Sequence, residues 1–457
     1  MRNCMCEMVK VKIDLDQKLE FKGYWYLPLA PDNKVAGVLT YYPNEKIVLE
    51  LLGCFGEYSL AILNGNDQED LIYGKTADNK EITLLNNIRS LKINFSADFP
   101  IVRYTCNYMV IGKHVKGMDE KRNYWATARI PELSYWCQPK AITTTMFFDK
   151  NNNSKMANLS FSTEFRSRND IISVKVDENT AVKIKKAVRY NGDRFAPEVE
   201  QYSFLEIRKK GKTSIKEIVS DIFMFEQFLS LATLSIVKSS KITLFDKSTY
   251  QQEVGTKFYR EIHFIHAYRE RQNLQSVESK MFRNLFDYST IKSVYPEIIK
   301  RWFNEPVDLA PIRYHLINSL EKKHLYGSVD FLIVIQALEG FCRRFRSRRY
   351  RKEHGLFDGK LSKLYPMMEF LINEFNDIDL IKKCGIDVDA VVDSRNYYSH
   401  FMHKSEAPKA LDGFELYKLT IRLRILLICC MLSLCGFDNS RINEIMKESH
   451  SKVLEVV

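Results

Sequence analysis

The pattern of hydrophobic and polar positions changes character near residue 213. Before that point apolar and polar residues alternate in short runs, and in the first run Val9, Val11 and Ile13 alternate with charged residues. A period of two is typical of a strand with one buried face. Further predicted strands cover residues 35–42, 46–52, 81–85, 91–95, 101–111, 171–176, 181–189 and 202–208.

Turn sequences rich in asparagine and glycine, such as Asn64-Gly65-Asn66 and Asn191-Gly192-Asp193, separate many of these runs. Short strands divided in this way predict an antiparallel sandwich or distorted barrel over residues 1–212. The tryptophans of this region fit either a ligand surface or a packed core, and the core is the commoner use. They are Trp25, Trp125 and Trp136.

Helical spacing begins after residue 213. Ser214 and Glu217 form a capping box, which predicts the start of an apolar helix that runs to about residue 236. A strand is predicted over 241–245 and two helices over 257–303. We therefore predict a helix-rich extension of the N-terminal region over residues 213–305. His263 and His266 lie three apart, and two ligands alone do not make a metal site.

The segment after Pro306 contains predicted helices only, over residues 308–323, 328–346, 360–375, 387–402, 412–434 and 439–452. In the second of these, apolar residues recur at intervals of three and four, which is typical of one buried face. They are Phe331, Ile335, Leu338, Cys342 and Phe345. Helices of this length predict a compact all-α bundle over residues 306–457. The fold class is therefore α+β with several domains: a β-rich N-terminal domain and a C-terminal helical bundle.

Composition indicates which class of binding partner and which cellular compartment to expect. The 457 residues carry a net charge of +11, which favours a polyanionic partner. The ten cysteines show no C-x-x-C pair and no zinc-ligand spacing, so reduced thiols in the cytoplasm are expected. No apolar signal segment follows Met1, and the most apolar run, residues 425–435, falls short of the ~20 residues that span a bilayer. We expect no membrane association.

Motifs for common enzyme classes are missing from the sequence. It has no phosphate-binding glycine loop, no G-x-S-x-G elbow and no H-E-x-x-H, and the bundle has no clear carboxylate cluster for a metal. Acid–base chemistry that needs neither a metal nor a cofactor is the simplest remaining prediction.

The stretch from residue 394 to 401 can supply such chemistry. On a helix, Asn396 and His400 share one face, and Asp393 joins that stripe seven residues before His400. Arg395 lies about 140° away round the helix, so only its long side chain can reach the same substrate atom. An arginine that forks onto a phosphate beside an imidazole suits phosphodiester cleavage. The alternative is a surface helix on which both side chains face water.

Arg395-Asn396-x-x-x-His400, within a run of helices, resembles the R-N-x-x-x-H signature of HEPN ribonucleases. The helix of residues 331–343 and the opening segments 23–28, 37–43 and 47–53 resemble the Apea-type HEPN proteins. The resemblance implies an endoribonuclease of antiviral, abortive-infection defence. In such a protein an N-terminal domain that senses a phage-derived trigger holds the nuclease in check. It also implies a homodimer or a larger oligomer, in which two motifs face each other.

In the implied reaction the 2′-hydroxyl of RNA attacks the phosphate and leaves a 2′,3′-cyclic phosphate. His400 serves as acid or base, Arg395 stabilises the phosphate, and Asn396 orients either of them. Asp393, Tyr397 and Glu339 are candidates for support. Tyr397 stacks on a base or packs at an interface, and Glu339 pairs within its helix with Arg343. His403 is either a second acid or an exposed neighbour.

A dense basic run follows Glu339. Its members are Arg343, Arg344, Arg346, Arg348, Arg349, Arg351 and Lys352. It is either a solvated helix end or a surface that tracks an RNA backbone. Transfer RNA is an attractive substrate because cutting it stops translation, but nothing selects it over messenger RNA. The alternative function is a non-catalytic HEPN module that binds RNA or protein, or a phage-sensing scaffold.

Overall fold

The computed structural model describes residues 13, 15–43, 45–56, 68–90, 100–149, 152–163, 170–192, 197–253, 256–267, 284–305, 307–321, 325, 327–345, 364–449 and 454. The strands are β1 (Leu19–Tyr26), β2 (Val35–Tyr42), β3 (Lys46–Leu52), β4 (Gln68–Thr76), β5 (Glu81–Arg89), β6 (Ile101–Ile111), β7 (Tyr124–Arg129), β8 (Ile142–Asp149), β9 (Asn152–Thr163), β10 (Asp170–Lys175), β11 (Thr180–Gly192), β12 (Pro197–Lys209), β13 (Lys241–Glu253) and β14 (Thr256–His266). The helices are α1 (Pro131–Cys137), α2 (Ile215–Thr233), α3 (Tyr288–Ile291), α4 (Tyr295–Asn304), α5 (Ala310–Glu321), α6 (Ser328–Phe345), α7 (Leu364–Glu374), α8 (Asp379–Cys384), α9 (Val388–His400), α10 (Gly413–Leu434) and α11 (Asn439–Glu448).

Contacts divide the chain into two compact units. The first contains Met1–Arg129, Gly211–Val219 and Ser239–Gln272. The second contains Ile130–Lys210, Ser220–Lys238 and Asn273–Val457.

The first unit is an antiparallel sheet in the order β7-β13-β14-β6-β3-β2-β1-β4-β5. The last strand also pairs with β6, so β1 to β6 close on themselves as a six-stranded barrel. Closure removes the free edges that an open sheet presents. The predicted β-rich N-terminal domain is confirmed, and in this part of the chain it takes the barrel form rather than the sandwich.

Trp25 fills part of the barrel interior, where it is fully buried. Gly74 lies directly opposite it on β4, and any side chain at that position would collide with the indole ring. A β-carbon at Gly37 on β2 would collide with the backbone carbonyl oxygen of Glu50 and would also lie only 3.1 Å from the Trp25 ring. Trp125 and Trp136 are also buried, so all three tryptophans serve as core residues.

The capping box is formed as predicted at the start of α2. The hydroxyl of Ser214 accepts the backbone N–H of Glu217 at 3.2 Å, and the Glu217 carboxylate accepts the backbone N–H of Ser214 at 3.0 Å. The hydrogen bond from the Ser214 backbone is the largest cause that lowers the pKa of Glu217 to about 2. Two donors that a helix start leaves open are thereby satisfied.

The second unit contains a sheet of β10, β11 and β12, a separate hairpin of β8 and β9, and the helical bundle. In the bundle α10 is buried almost all round and packs against α5, α6, α8 and α11. A helix that is apolar on every side takes such a central place. The predicted stripe on α6 is confirmed at four of its five positions, because Phe331, Ile335, Leu338 and Cys342 are all fully buried. Phe345, at the end of the helix, is only partly buried. No helix in the described ranges is long and apolar enough to cross a membrane.

The prediction of two helices over 257–303 is wrong in its first part, where β14 occupies Thr256–His266. The inner end of β14 is buried on both faces, from Ile262 to Ile265, so its sequence lacks the alternation that identifies a half-buried strand. His263 and His266 are three apart on a strand and therefore point to opposite faces. The boundaries proposed at 212/213 and 305/306 stay predictions. The predicted strand over 91–95 lies outside the described residues, as does most of the first run, which was predicted from Val9 to Leu15. Its described residues, Ile13 and Leu15, are not in a strand, and β1 begins at Leu19.

His263 on β14 is buried, and its ring Nδ1 has no hydrogen-bond partner in the described part of the chain. Burial first, and then the positive charges of Lys241 and Lys80, lower the pKa of His263 to about 4. Its Nε2 lies 3.6 Å from a carboxylate oxygen of Glu261, a group that is largely exposed. Burial outweighs this screened attraction, so the imidazole is neutral at pH 7.

We predict that His263 makes the folded protein sensitive to acid. The folded pKa lies below the ordinary value of 6.5, so the unfolded chain takes up the proton first as the pH falls. The stabilising contribution is complete above pH ~6.5 and is lost between pH ~6.5 and ~4, an effect of about 3 kcal/mol. Urea unfolding at pH 7 and pH 4.5 measures it. His263→Gln should flatten this pH dependence, and the exposed His403→Gln is the control. Equal pH dependence in all three proteins would contradict the assignment.

Candidate active site

Helix α9 carries the predicted motif and begins at a defined cap. The carboxylate of Asp387 accepts the backbone N–H groups of Asp389 at 2.9 Å and of Ala390 at 3.3 Å. An acidic cap satisfies open donors and complements the positive end of the helix dipole. The helix buries Ala390, Val391 and Ser394 and packs against α6 and α7.

The loop after α9, residues 401–412, is fastened back onto the helix. The Ser394 hydroxyl accepts the backbone N–H of Leu411 at 2.9 Å, and the Tyr398 hydroxyl donates to the Leu411 carbonyl oxygen at 3.1 Å. Burial raises the pKa of Tyr398, which keeps the phenol in its donating form. These two bonds fix the path of the chain beside the last turn of the helix.

Asp393 belongs to the same set of loop contacts. Its carboxylate accepts the backbone N–H of Lys409 at 2.9 Å. The ammonium of Lys409 lies 2.5 Å from Asp389, and that hydrogen bond is the main cause of its raised pKa. Asp393 is thus placed as a loop anchor, although the sequence pattern set it in line with His400. Ser394 and Lys409 were not among the predicted site residues, because their partners lie 17 and 20 residues away in the chain.

The three motif side chains meet at the C-terminal end of α9. Nη1 of Arg395 lies 2.6 Å from Nε2 of His400 and 3.1 Å from the amide oxygen of Asn396. The arginine therefore bridges the angle that separates it from His400 on the helical wheel. A guanidinium can only donate, so Nε2 of His400 is the acceptor and the ring proton of the neutral imidazole is on Nδ1.

A carboxylate from the neighbouring helix completes this arrangement. Glu339 on α6 is largely buried, and its carboxylate lies 3.9 Å from Nη2 of Arg395. The same carboxylate pairs with Arg343 at 2.6 Å, one turn further along α6. Glu339 thus makes the predicted pair within its helix and also faces the motif. Nε and Nη2 of Arg395 make no hydrogen bond to any described residue, which leaves their N–H groups available for a phosphate.

Tyr397 and His403 lie at the edge of this group. The ring of Tyr397 is half-buried, stands edge-on to Tyr398 and lies 5.5 Å from the ammonium of Lys404. The side chain of His403 is exposed, while its backbone N–H donates to Glu406 at 3.4 Å. Neither ring joins the contacts of Arg395.

Only the start of the basic run falls within the described residues. Arg343 pairs with Glu339, and Arg344 donates to the backbone carbonyl of Asp308 at 2.7 Å. Both side chains are exposed at the end of α6. The remaining members lie outside the described residues: Arg346, Arg348, Arg349, Arg351 and Lys352. The described ranges also contain no group of three or more histidine, cysteine or acidic residues that could hold a metal ion.

Family models match both parts of the chain. A model described as ApeA N-terminal domain 1 matches residues 20–302, which is more than half of the sequence. A model described as Apea-like HEPN matches residues 332–441 and includes Glu339 and the whole of α9. Comparisons with curated proteins and with solved structures gave no match.

Proposed function

This chain belongs to the ApeA-type HEPN proteins, and on that premise we propose that it is an antiviral endoribonuclease that cuts RNA without a metal. The observation that carries the proposal is the contact among Arg395, Asn396 and His400 at one helix end. It gathers a titratable imidazole and a phosphate-binding guanidinium at an exposed place that a polymer can reach.

Binding of RNA begins with the guanidinium. In the unliganded site Nη1 of Arg395 covers Nε2 of His400, which is the atom that must take a proton. A phosphodiester is a stronger acceptor than a neutral imidazole and matches the arginine fork in shape. The arriving phosphate draws the guanidinium to its oxygens and uncovers Nε2.

The chemical step is attack by the 2′-hydroxyl on the adjacent phosphorus. One histidine takes the 2′ proton as the new P–O bond forms, and the P–O bond to the 5′ oxygen breaks. The leaving oxygen takes a proton from a second acid and becomes a 5′-hydroxyl, while the other product is a 2′,3′-cyclic phosphate. Arg395 stabilises the charge on the phosphorane oxygens.

Two neighbours position the guanidinium. Glu339 attracts Arg395 from α6, and Asn396 accepts a hydrogen bond from it on α9. Contacts from two helices restrict the conformations of the Arg395 side chain before RNA binds. Substrate binding therefore has less conformational entropy to remove.

The need for a second acid supports a dimer. Each chain carries one motif, and HEPN domains commonly act on RNA as dimers. In the proposed active unit two copies of α9 face each other, so each copy of His400 serves one of the two proton transfers. The oligomer can be larger than a dimer.

The remaining roles concern substrate and control. The basic run from Arg343 to Lys352 tracks the RNA backbone, with transfer RNA as the candidate substrate. The barrel-containing N-terminal region restrains the nuclease until a phage-derived trigger binds. The alternative, a module that binds RNA or protein without cutting, does not require the close contact of Arg395 with His400, and that contact favours the enzyme.

We predict that His400→Ala and Arg395→Ala each lower the RNA cleavage rate by at least ~100-fold while the protein stays folded. Purified variants are compared by cleavage assay and thermal melting. His403→Ala is the matched control, because it removes an exposed histidine three residues away and should keep full activity. Glu339→Gln should cause a smaller loss, since this residue positions Arg395 and pairs with Arg343 but takes no part in the proton transfers. A folded, fully active His400→Ala protein would disprove the assignment.

Cleavage by the wild-type protein should also survive EDTA, because side chains alone carry out the proposed proton transfers. Loss of activity in EDTA that only added Mg²⁺ or Mn²⁺ restores would show that the mechanism is wrong.

We predict that the active unit contains two motifs. Mixing wild-type chains with an excess of His400→Ala chains should give less cleavage than the same amount of wild-type protein alone, because a mixed dimer has only one of the two histidines that the proton transfers need. Light scattering at the assay concentration measures the assembly. A protein that is fully active as a monomer would contradict the shared site.

We predict that the basic run contributes sequence-independent affinity. Replacing Arg346, Arg348, Arg349 and Arg351 with glutamine should weaken the binding of unrelated RNAs in the His400→Ala background. Each lost phosphate contact on a single strand lowers the slope of log affinity against log salt by ~0.7, and we expect a total change of about two. A variant with glutamine at four lysines outside the run controls for net charge, and these lysines are Lys34, Lys216, Lys238 and Lys292. An unchanged slope in the arginine variant would assign the run to a solvated helix end.

A further inference from the structure

Phe401, the residue that follows His400, combines two unfavourable features. Its backbone is left-handed, with φ 53° and ψ 38°, and its side chain is 88% exposed. Helices commonly end on a left-handed residue, but glycine or asparagine usually takes that place because a β-carbon is strained there. A large aromatic ring that is exposed to water also contributes none of the stabilising free energy that its burial would provide.

Neither the turn nor the core explains this phenylalanine. The chain reversal after α9 comes from the backbone conformation and from the bonds that hold Lys409 and Leu411, none of which uses the ring. With 88% of the residue exposed, the ring adds little to the packing of the bundle. Strain and exposure on one residue beside a candidate active site suggest a ligand contact.

We propose that Phe401 is a nucleobase-stacking residue, whose ring takes a base of the RNA next to the phosphate bound by Arg395 and His400. This inference rests on the proposed ribonuclease function. Every base offers a flat π face, so an exposed ring stacks with little sequence preference, and loss of one stacked base typically weakens binding by roughly tenfold. Stacking would splay the bases at the cut and help to set the scissile phosphate against His400.

The surroundings of the ring favour RNA over a second copy of the chain. From residue 399 to 406 all residues are described, and the other exposed ones are polar or charged: Ser399, His400, His403, Lys404, Ser405 and Glu406. The core of a protein interface is depleted of charged side chains. An aromatic ring exposed among polar side chains, with the guanidinium of Arg395 at the adjacent His400 to bind a phosphate, suits the stacking of a base from single-stranded RNA.

The test separates the ring from the fold. Phe401→Gly removes the ring and also relieves the left-handed strain, so its melting temperature should equal or exceed that of the wild type. In the inactive His400→Ala background it should bind a single-stranded oligonucleotide about tenfold more weakly. Phe401→Trp should retain wild-type binding. Phe414→Ala is the matched control, because Phe414 is another exposed phenylalanine of the bundle and should leave affinity unchanged.

A series of oligonucleotides with one abasic position each locates the stacked base. In the His400→Ala background, affinity should drop at one abasic position beside the cut, and adding Phe401→Gly should abolish that sensitivity. Equal RNA affinity with and without the Phe401→Gly change overturns the stacking role. Dissociation of Phe401→Gly into monomers, measured by light scattering, also overturns it, because it assigns the ring to a subunit interface. Failure of the wild-type protein to cut or bind RNA would instead overturn the ribonuclease proposal itself.

Discussion

The candidate site depends on one guanidinium. Arg395 can only donate hydrogen bonds, so each partner around it has to be an acceptor: a carboxylate oxygen of Glu339, the amide oxygen of Asn396 and Nε2 of His400. These acceptors come from α6 and α9. The packing of those two helices therefore sets the geometry of the site, and each helix has fully buried residues, among them Leu338 and Val391.

The last two turns of α9 are held by hydrogen bonds to the following loop, whereas the side chains at the C-terminal end of the helix are exposed. Asp393, Ser394 and Tyr398 bind the backbone of residues 409 and 411, so the loop that follows the motif has a defined path. His400 and Phe401 remain exposed beyond these bonds. A rigid backbone that presents exposed reactive side chains is what a site for a polymer substrate requires, because precise placement and access are needed together.

Local spacing in the sequence was sufficient to predict α2 and most helices of the bundle, although the short helix α8 was missed. The capping box at Ser214, the buried stripe of α6 and the position of α9 all depend on residues within a few turns of one another, and the structure contains all three. The strand character of residues 256–266 was missed, because burial on both faces removes the alternation that periodicity analysis detects.

The motif residues themselves were predicted from spacing and from the resemblance to HEPN proteins. What spacing could not give was the support around them. The bond from Leu411 to Ser394 and the approach of Glu339 to Arg395 join residues far apart in the chain, and only the fold brings these groups together. A buried serine in the middle of a helix was the one local signal available, since such a hydroxyl needs a partner.

The contact between Arg395 and His400 also links substrate binding to reactivity in the proposed enzyme. While the guanidinium covers Nε2, the imidazole cannot accept a proton from a passing hydroxyl. An anionic phosphate competes for the guanidinium better than a neutral ring does, so the base is uncovered when the scissile group is in place. Because the bound phosphate takes the guanidinium away from His400, the substrate itself completes the active form of the site. In the proposed enzyme, Nε2 of His400 is therefore free to accept a proton only while RNA is bound.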